Sequence, residues 1–71
     1  MRIVSASGKL DLNYDSVNVV VTFSEIHAVD LLKNKYLLGR YFNKERALQA
    51  AENMRLSYEA GEKVFRFSSD E

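Results

Sequence analysis

Seventy-one residues with ten basic and ten acidic side chains, one histidine and no cysteine make one small, formally neutral domain. The absence of cysteine excludes a disulfide framework and a thiolate zinc site, and a lone His27 excludes a cluster of histidine metal ligands. No apolar run nears the ~20 residues of a membrane span, and the opening lacks a basic stretch followed by an apolar one, so a cytosolic protein without membrane association is expected.

In chain order, Arg2 to Ser7 is a short β-type run closed by a Gly8-Lys9 turn. Leu10, Leu12 and Tyr14 then alternate with polar neighbours, which predicts a short second strand with one apolar face. Val17 to Phe23 is the clearest strand, rich in β-branched residues, with Val17, Val19, Val21 and Phe23 on one face. A turn at Ser24-Glu25 leads into Ile26 to Leu32. That segment reads as strand by its hairpin spacing, although Leu31 and Leu32 blur the register and leave a helical start from Ser24 open. Lys33-Asn34-Lys35 is a polar hairpin turn in which asparagine tolerates positive φ. Tyr36 to Phe42 is the strand entering a helix, and Gly39 within it signals a bulge or a close backbone approach. Simple alternation puts Tyr36 and Tyr41 on opposite faces of that strand.

Asn43 is a good N-cap and Glu45 suits the positive end of the helix. Ala47, Ala51, Met54 and Tyr58 then form one apolar stripe, widened by Leu48 and Ala50, and Gly61 is the expected left-handed stop. Lys63 to Phe67 is a last strand, and Ser68 to Glu71 a polar tail. The expected fold is α+β: an antiparallel sheet of four to five strands packed against one long helix at about 43–60, with a short C-terminal strand. One helix covers only part of such a sheet. Val20, Val29, Leu31, Leu37 and Tyr41 fall on the uncovered side, which predicts self-association as a homodimer or higher oligomer.

The residues supply little chemistry. His27 and Asp30 do not share a strand face, the serines lack a nucleophile-elbow context, and the carboxylates lack metal-loop spacing, so no enzyme and no cofactor are expected. The charges are uneven, however. Residues 33–46 carry five basic side chains against Glu45 alone, a local balance of +4, while residues 1–30 and 59–71 each carry −2. Lys33, Lys35, Arg40, Lys44 and Arg46, with Tyr41, are therefore the candidate binding residues. Interleaved basic and aromatic residues suit phosphate contact and base stacking. Copies of Lys35, Arg40 and Arg46 brought together in an oligomer would suit a small anionic nucleotide, although no glycine-rich loop is present.

Two resemblances go beyond this reading. Leu38-Gly39-Arg40-Tyr41-Phe42-Asn43 with the helix start through Ala51 resembles the third strand and helix of an AP2-type DNA-binding domain, which implies groove reading by a three-stranded sheet. The chain departs from that pattern in having no tryptophan, no basic first strand and no net charge. Over most of its length it also resembles a group of small uncharacterised proteins encoded by phages, prophages and mobile elements of Firmicutes. The residues concerned are Met1 to Ser5, Asp11 to Tyr14 and Val17, then Tyr36 to Tyr41 with Glu45-Arg46-Ala47. Many members carry Gln-Asp where this chain has Ala6-Ser7, and proline where it has Asn13. This resemblance implies an accessory protein acting as a stoichiometric binder of a host factor, in host takeover or anti-defence, in the bacterial cytoplasm.

Overall fold

The computed structural model describes residues 1–70. Its elements are β1 (Arg2–Val4), β2 (Asp11–Asn13), a 3-10 turn (Tyr14–Ser16), β3 (Asn18–Thr22), β4 (Glu25–Val29), β5 (Lys35–Arg40), α1 (Lys44–Glu59) and β6 (Val64–Arg66). The α+β class with one long helix is as expected. The strands, however, divide into two three-stranded sheets, ordered β2-β1-β6 and β3-β4-β5, instead of one sheet of four to five. The first sheet includes a parallel pair, β1 with β6. Parallel pairing needs a long crossover between its strands, and here everything from β2 to α1 serves as that crossover.

β3, β4 and β5 form an antiparallel meander. Residues 26–32 are settled as strand only to Val29, and Leu31 and Leu32 lie in the following loop. Thr22 pairs with Glu25, so the first turn is Phe23-Ser24, one residue earlier than the sequence suggests. Phe23 adopts φ +55 there and leaves the apolar face it was expected to share with Val19 and Val21.

β5 carries one extra residue. His27 pairs with Leu37 and Ile26 with Gly39, which leaves Leu38 as a bulge facing the core. The bulge shifts the alternation by one residue beyond it. Tyr41 therefore turns inward and is 4% exposed, where simple alternation had left it on the uncovered side and among the candidate binding residues. Arg40 turns outward, opposite Glu25.

α1 begins as its sequence requires: the Asn43 side chain accepts from the Arg46 amide at 2.9 Å, and Gly61 stops the chain at φ +79. Ala47 and Met54 are buried in the stripe, Ala51 is half-buried, and Tyr58 at its end packs its ring 4.9 Å from that of Tyr14. The core joins Ile3, Ile26, Ala28, Leu38, Tyr41, Ala47, Met54 and Phe67 from both sheets and the helix. Among the described residues, no helix is long and apolar enough to cross a membrane.

The polar tail is a strap. Phe67 donates its amide to Val4 (2.9 Å), Asp70 donates to the Arg40 carbonyl (2.8 Å), and the Asp70 carboxylate accepts from the Phe42 amide (3.1 Å). It crosses so near Gly39 that a Cβ there would meet the Ser68 carbonyl oxygen at 2.9 Å. Gly39→Ala is therefore expected to destabilise the fold by about 1–3 kcal/mol. The measurement is denaturant unfolding, with a lower midpoint and an unchanged slope.

Candidate functional site

The six candidate residues do not form one surface. Lys33 lies in the β4–β5 loop and Lys35 opens β5, whereas Arg40 closes β5 and Lys44 and Arg46 begin α1. Lys35 and Arg40 stand roughly 15 Å apart at about 3.3 Å per strand residue. Arg40 and Arg46 are also already engaged. Arg40 Nε donates to Glu25 Oε2 at 3.0 Å, and Arg46 donates two bonds to the Asp70 carboxylate, at 2.5 and 2.8 Å, with its guanidinium 6.0 Å from the Phe42 ring centre. Tyr41 is in the core, where burial pushes its phenol up. Among the described residues, Lys33, Lys35 and Lys44 have no carboxylate within salt-bridge distance.

What stands out around Lys33 and Lys35 is the loop itself. Asp30 Oδ1 accepts from the Leu32 and Asn34 amides, both at 2.9 Å. Its Oδ2 accepts from Asn34 Nδ2 at 3.2 Å and from Tyr36 Oη at 2.9 Å. The main chain adds Asp30 amide to Asn34 carbonyl (3.1 Å) and Lys33 amide to Asp30 carbonyl (3.0 Å). Lys33, with φ +70, takes the left-handed position that Asn34 was expected to take. These bonds, that from the Asn34 amide foremost, hold the Asp30 carboxyl below its ordinary range. One carboxylate thus ties together three residues, Leu32, Asn34 and Tyr36.

The product of that order is an exposed apolar tip: Leu31 is 89% and Leu32 81% exposed. At the opposite end of the same sheet, Phe23 (83%) and Phe42 (71%) are exposed in the β3–β4 turn and the β5–α1 joint. Between the two ends, the face of β3-β4-β5 turned away from α1 has Val20, His27 and Leu37 as its middle row. His27 Nε2 lies 3.4 Å from Glu25 Oε1, and its Nδ1 is buried without a partner among the described residues. The surface depressions are shallow, and no group of three or more described His, Asp or Glu side chains is arranged to hold a metal ion.

From the sequence alone, Asp30 and Leu32 take no binding role, and Leu31 falls only on the uncovered side of the sheet. The available signal was an aspartate followed two to four residues later by the loop that ends in Asn34, which is an Asx-turn pattern. Comparison of the chain with protein-family models, with curated proteins and with solved structures finds no match in any of the three. The arrangement sets two exposed leucines on a hydrogen-bonded loop beside Lys33 and Lys35, neither of which has a carboxylate within salt-bridge distance among the described residues.

Asp30, and Asp70 beside Arg46, both have folded pKa values below the ordinary carboxylate value of about 3.9. Folding therefore favours their charged forms. The stability they contribute is complete above that value and is lost as pH falls through the lower folded values. In an NMR titration, the amides of Leu32, Asn34 and Phe42 are expected to hold their positions down to about pH 4 and to move together with loop and strap below it. Movement of these amides well above that pH would assign the bonds to some other group.

Proposed function

We propose that this chain is a non-enzymatic binding protein that captures a protein partner stoichiometrically through the loop locked by Asp30. Leu31 and Leu32 enter an apolar cleft of the partner, and Lys33 and Lys35 meet an acidic rim around it. The observation that carries this reading is the pair of leucines held in water by a loop that the Asp30 carboxylate hydrogen-bonds. A slack loop would let such side chains fold back on the protein. A loop already fixed in shape gives up little entropy when it binds. Two exposed leucines flanked by lysines also match the usual division of an interface into apolar centre and charged rim.

The resemblance to phage-encoded proteins makes a host protein the natural partner, in host takeover or anti-defence, within the bacterial cytoplasm. The DNA-binding reading draws on the layout of β3-β4-β5 and α1, a three-stranded sheet backed by a helix. A sheet that reads a groove needs cations on its outer face. Here the middle row is Val20, His27 and Leu37, Arg40 is held by Glu25, and Lys35 is the one cation of that face without a carboxylate among the described residues. A nucleotide clamp built from Lys35, Arg40 and Arg46 would first have to break the Glu25 and Asp70 pairs.

The test is capture from lysate of a related bacterial host by the wild-type chain and by the pair Leu31→Ser with Leu32→Ser. Both positions are solvent-exposed, so stability is expected to change by less than about 0.5 kcal/mol per site. The reading predicts one host protein retained in fixed ratio by the wild type, at moderate and at high salt, with affinity at least tenfold lower for the pair. Equal retention by both would remove the loop from the site. Nucleic acid released steeply by salt would replace the proposal with the DNA-binding reading.

A further inference from the structure

β3 is the longest strand edge left open in the fold. Its five residues pair with β4 on one side, and among the described residues they make no backbone hydrogen bond on the other. β2 and β6 have only three residues each, and the far edge of β5 is partly taken by Ala6, Ser69 and Asp70. Natural edges are commonly blunted by lysine, proline or a bulge. Asn18-Val19-Val20-Val21-Thr22 contains none of these and carries no charge.

Thr22 and Glu25 close a two-residue hairpin, so Asn18, Val20 and Thr22 exchange their hydrogen bonds with β4. The N–H and C=O groups of Val19 and Val21 are then the ones directed outward. We propose that two copies of the chain pair antiparallel through β3, with Val20 of each on the two-fold axis. Val19 of one copy then faces Val21 of the other, and both have open groups. Asn18 faces Thr22, and Val20 faces Val20 as a non-hydrogen-bonded pair. A register centred on Val19 or Val21 also aligns open groups, but it overlaps only part of the strand.

Two further observations fit this register. A groove runs beside β3, lined by Val17, Val19, Val21, Leu48, Ala51 and Met54 together with the polar Tyr14, Asn18 and Arg55. A two-fold axis normal to the sheet sets both helices on one face, so the groove is closed by the second copy and six strands lie under two helices. The same pairing brings Phe23 level with Val17 of the other copy, where Val17, Val29 and Leu31, with Asp15, Ser16 and Asn18, line a depression. Phe23 is held at φ +55, which costs a bulky residue strain, and it is almost wholly exposed in the single chain. The pairing gives it a seat. It also sets Phe23 of one copy beside the Leu31-Leu32 tip of the other, so that the partner-binding patch proposed above is completed across the dimer; that last step rests on the loop reading, whereas the dimer does not.

The chain has no cysteine, which makes cross-linking decisive. In a non-hydrogen-bonded antiparallel pair the Cα atoms are about 4.5 Å apart, within the range of a disulfide. Val20→Cys is expected to give a disulfide-linked dimer almost completely under mild oxidation, with unchanged far-UV circular dichroism. Val29→Cys, one strand inward on the same face and level with Asn18, would stand about 20 Å from its mate, at about 4.8 Å per strand across and about 3.3 Å per residue along, and is expected to remain uncrosslinked. In native mass spectrometry the wild type is expected to be dimeric. Val20→Lys and Val20→Glu are each expected to dissociate at least tenfold more readily, and their mixture to restore a one-to-one heterodimer. A monomeric wild type, equal cross-linking at positions 20 and 29, or charge variants that fail to associate when mixed would overturn the proposal. A monomer that still captures a host protein through Leu31 and Leu32 would overturn the dimer alone, and a dimer that captures nothing would overturn the loop reading alone.

Discussion

The extra residue in β5 fixes more of this molecule than any other single feature. Leu38 stands unpaired between the Leu37–His27 and Gly39–Ile26 pairs and fills the core with its side chain, while its carbonyl accepts from the Ala6 amide at 2.8 Å. The bulge thus links the β3-β4-β5 sheet to the segment that follows β1. Gly39, immediately after it, leaves the space through which the Ser68 backbone passes. The strap can then reach Arg40 and Phe42 and bring Asp70 to Arg46. Without the shift in alternation, Tyr41 would point to solvent and Arg40 into the core. An unpaired guanidinium in that place would cost far more than the strand could recover.

This also marks where the residues were legible and where they were not. The N-cap at Asn43, the stop at Gly61, the apolar stripe through Ala47 and Met54, and the signal at Gly39 are local features. Each depends on a few neighbours, and each is found where the sequence placed it. The consequence of the bulge is not local. Its effect on Tyr41 follows only from which residue takes the extra place, and Leu38 takes it with its side chain in the same core cluster as Ile26 and Ala28. The division into two sheets is likewise a long-range matter, since β1 chooses β6 across the whole chain. Three-residue strands carry too little pattern to announce such a choice.

The candidate site shows the same limit for charge. The +4 balance of residues 33–46 is a property of the chain, but its partners lie elsewhere: Glu25 on the neighbouring strand and Asp70 in the strap. Once the fold brings them together, the Arg40–Arg46 end becomes a structural ion-pair region that holds the strap to the helix start. The Lys33–Lys35 end stays free. A charge run divides in this way whenever a strand carries its two halves to opposite ends of a sheet, and only the half without carboxylates within reach can meet an outside anion.

Several large apolar side chains of this molecule stand mostly in solvent. A chain of this size has few hydrophobic residues to spare, because a small domain buries a smaller fraction of its surface than a large one. Yet Phe23, Leu31, Leu32 and Phe42 contribute almost nothing to the core of the single chain. Two of them are held in place at a cost or by construction: Phe23 by a strained backbone, Leu32 by the carboxylate of Asp30. Folding alone supplies no reason for either arrangement, since glycine at position 23 would relieve the strain and a polar residue at 32 would be better hydrated. Phe23, Leu31 and Leu32 gather at one seam when β3 pairs with its copy, and they are dispersed when it does not. Burial against another chain is the physical condition under which these residues improve the free energy of the protein.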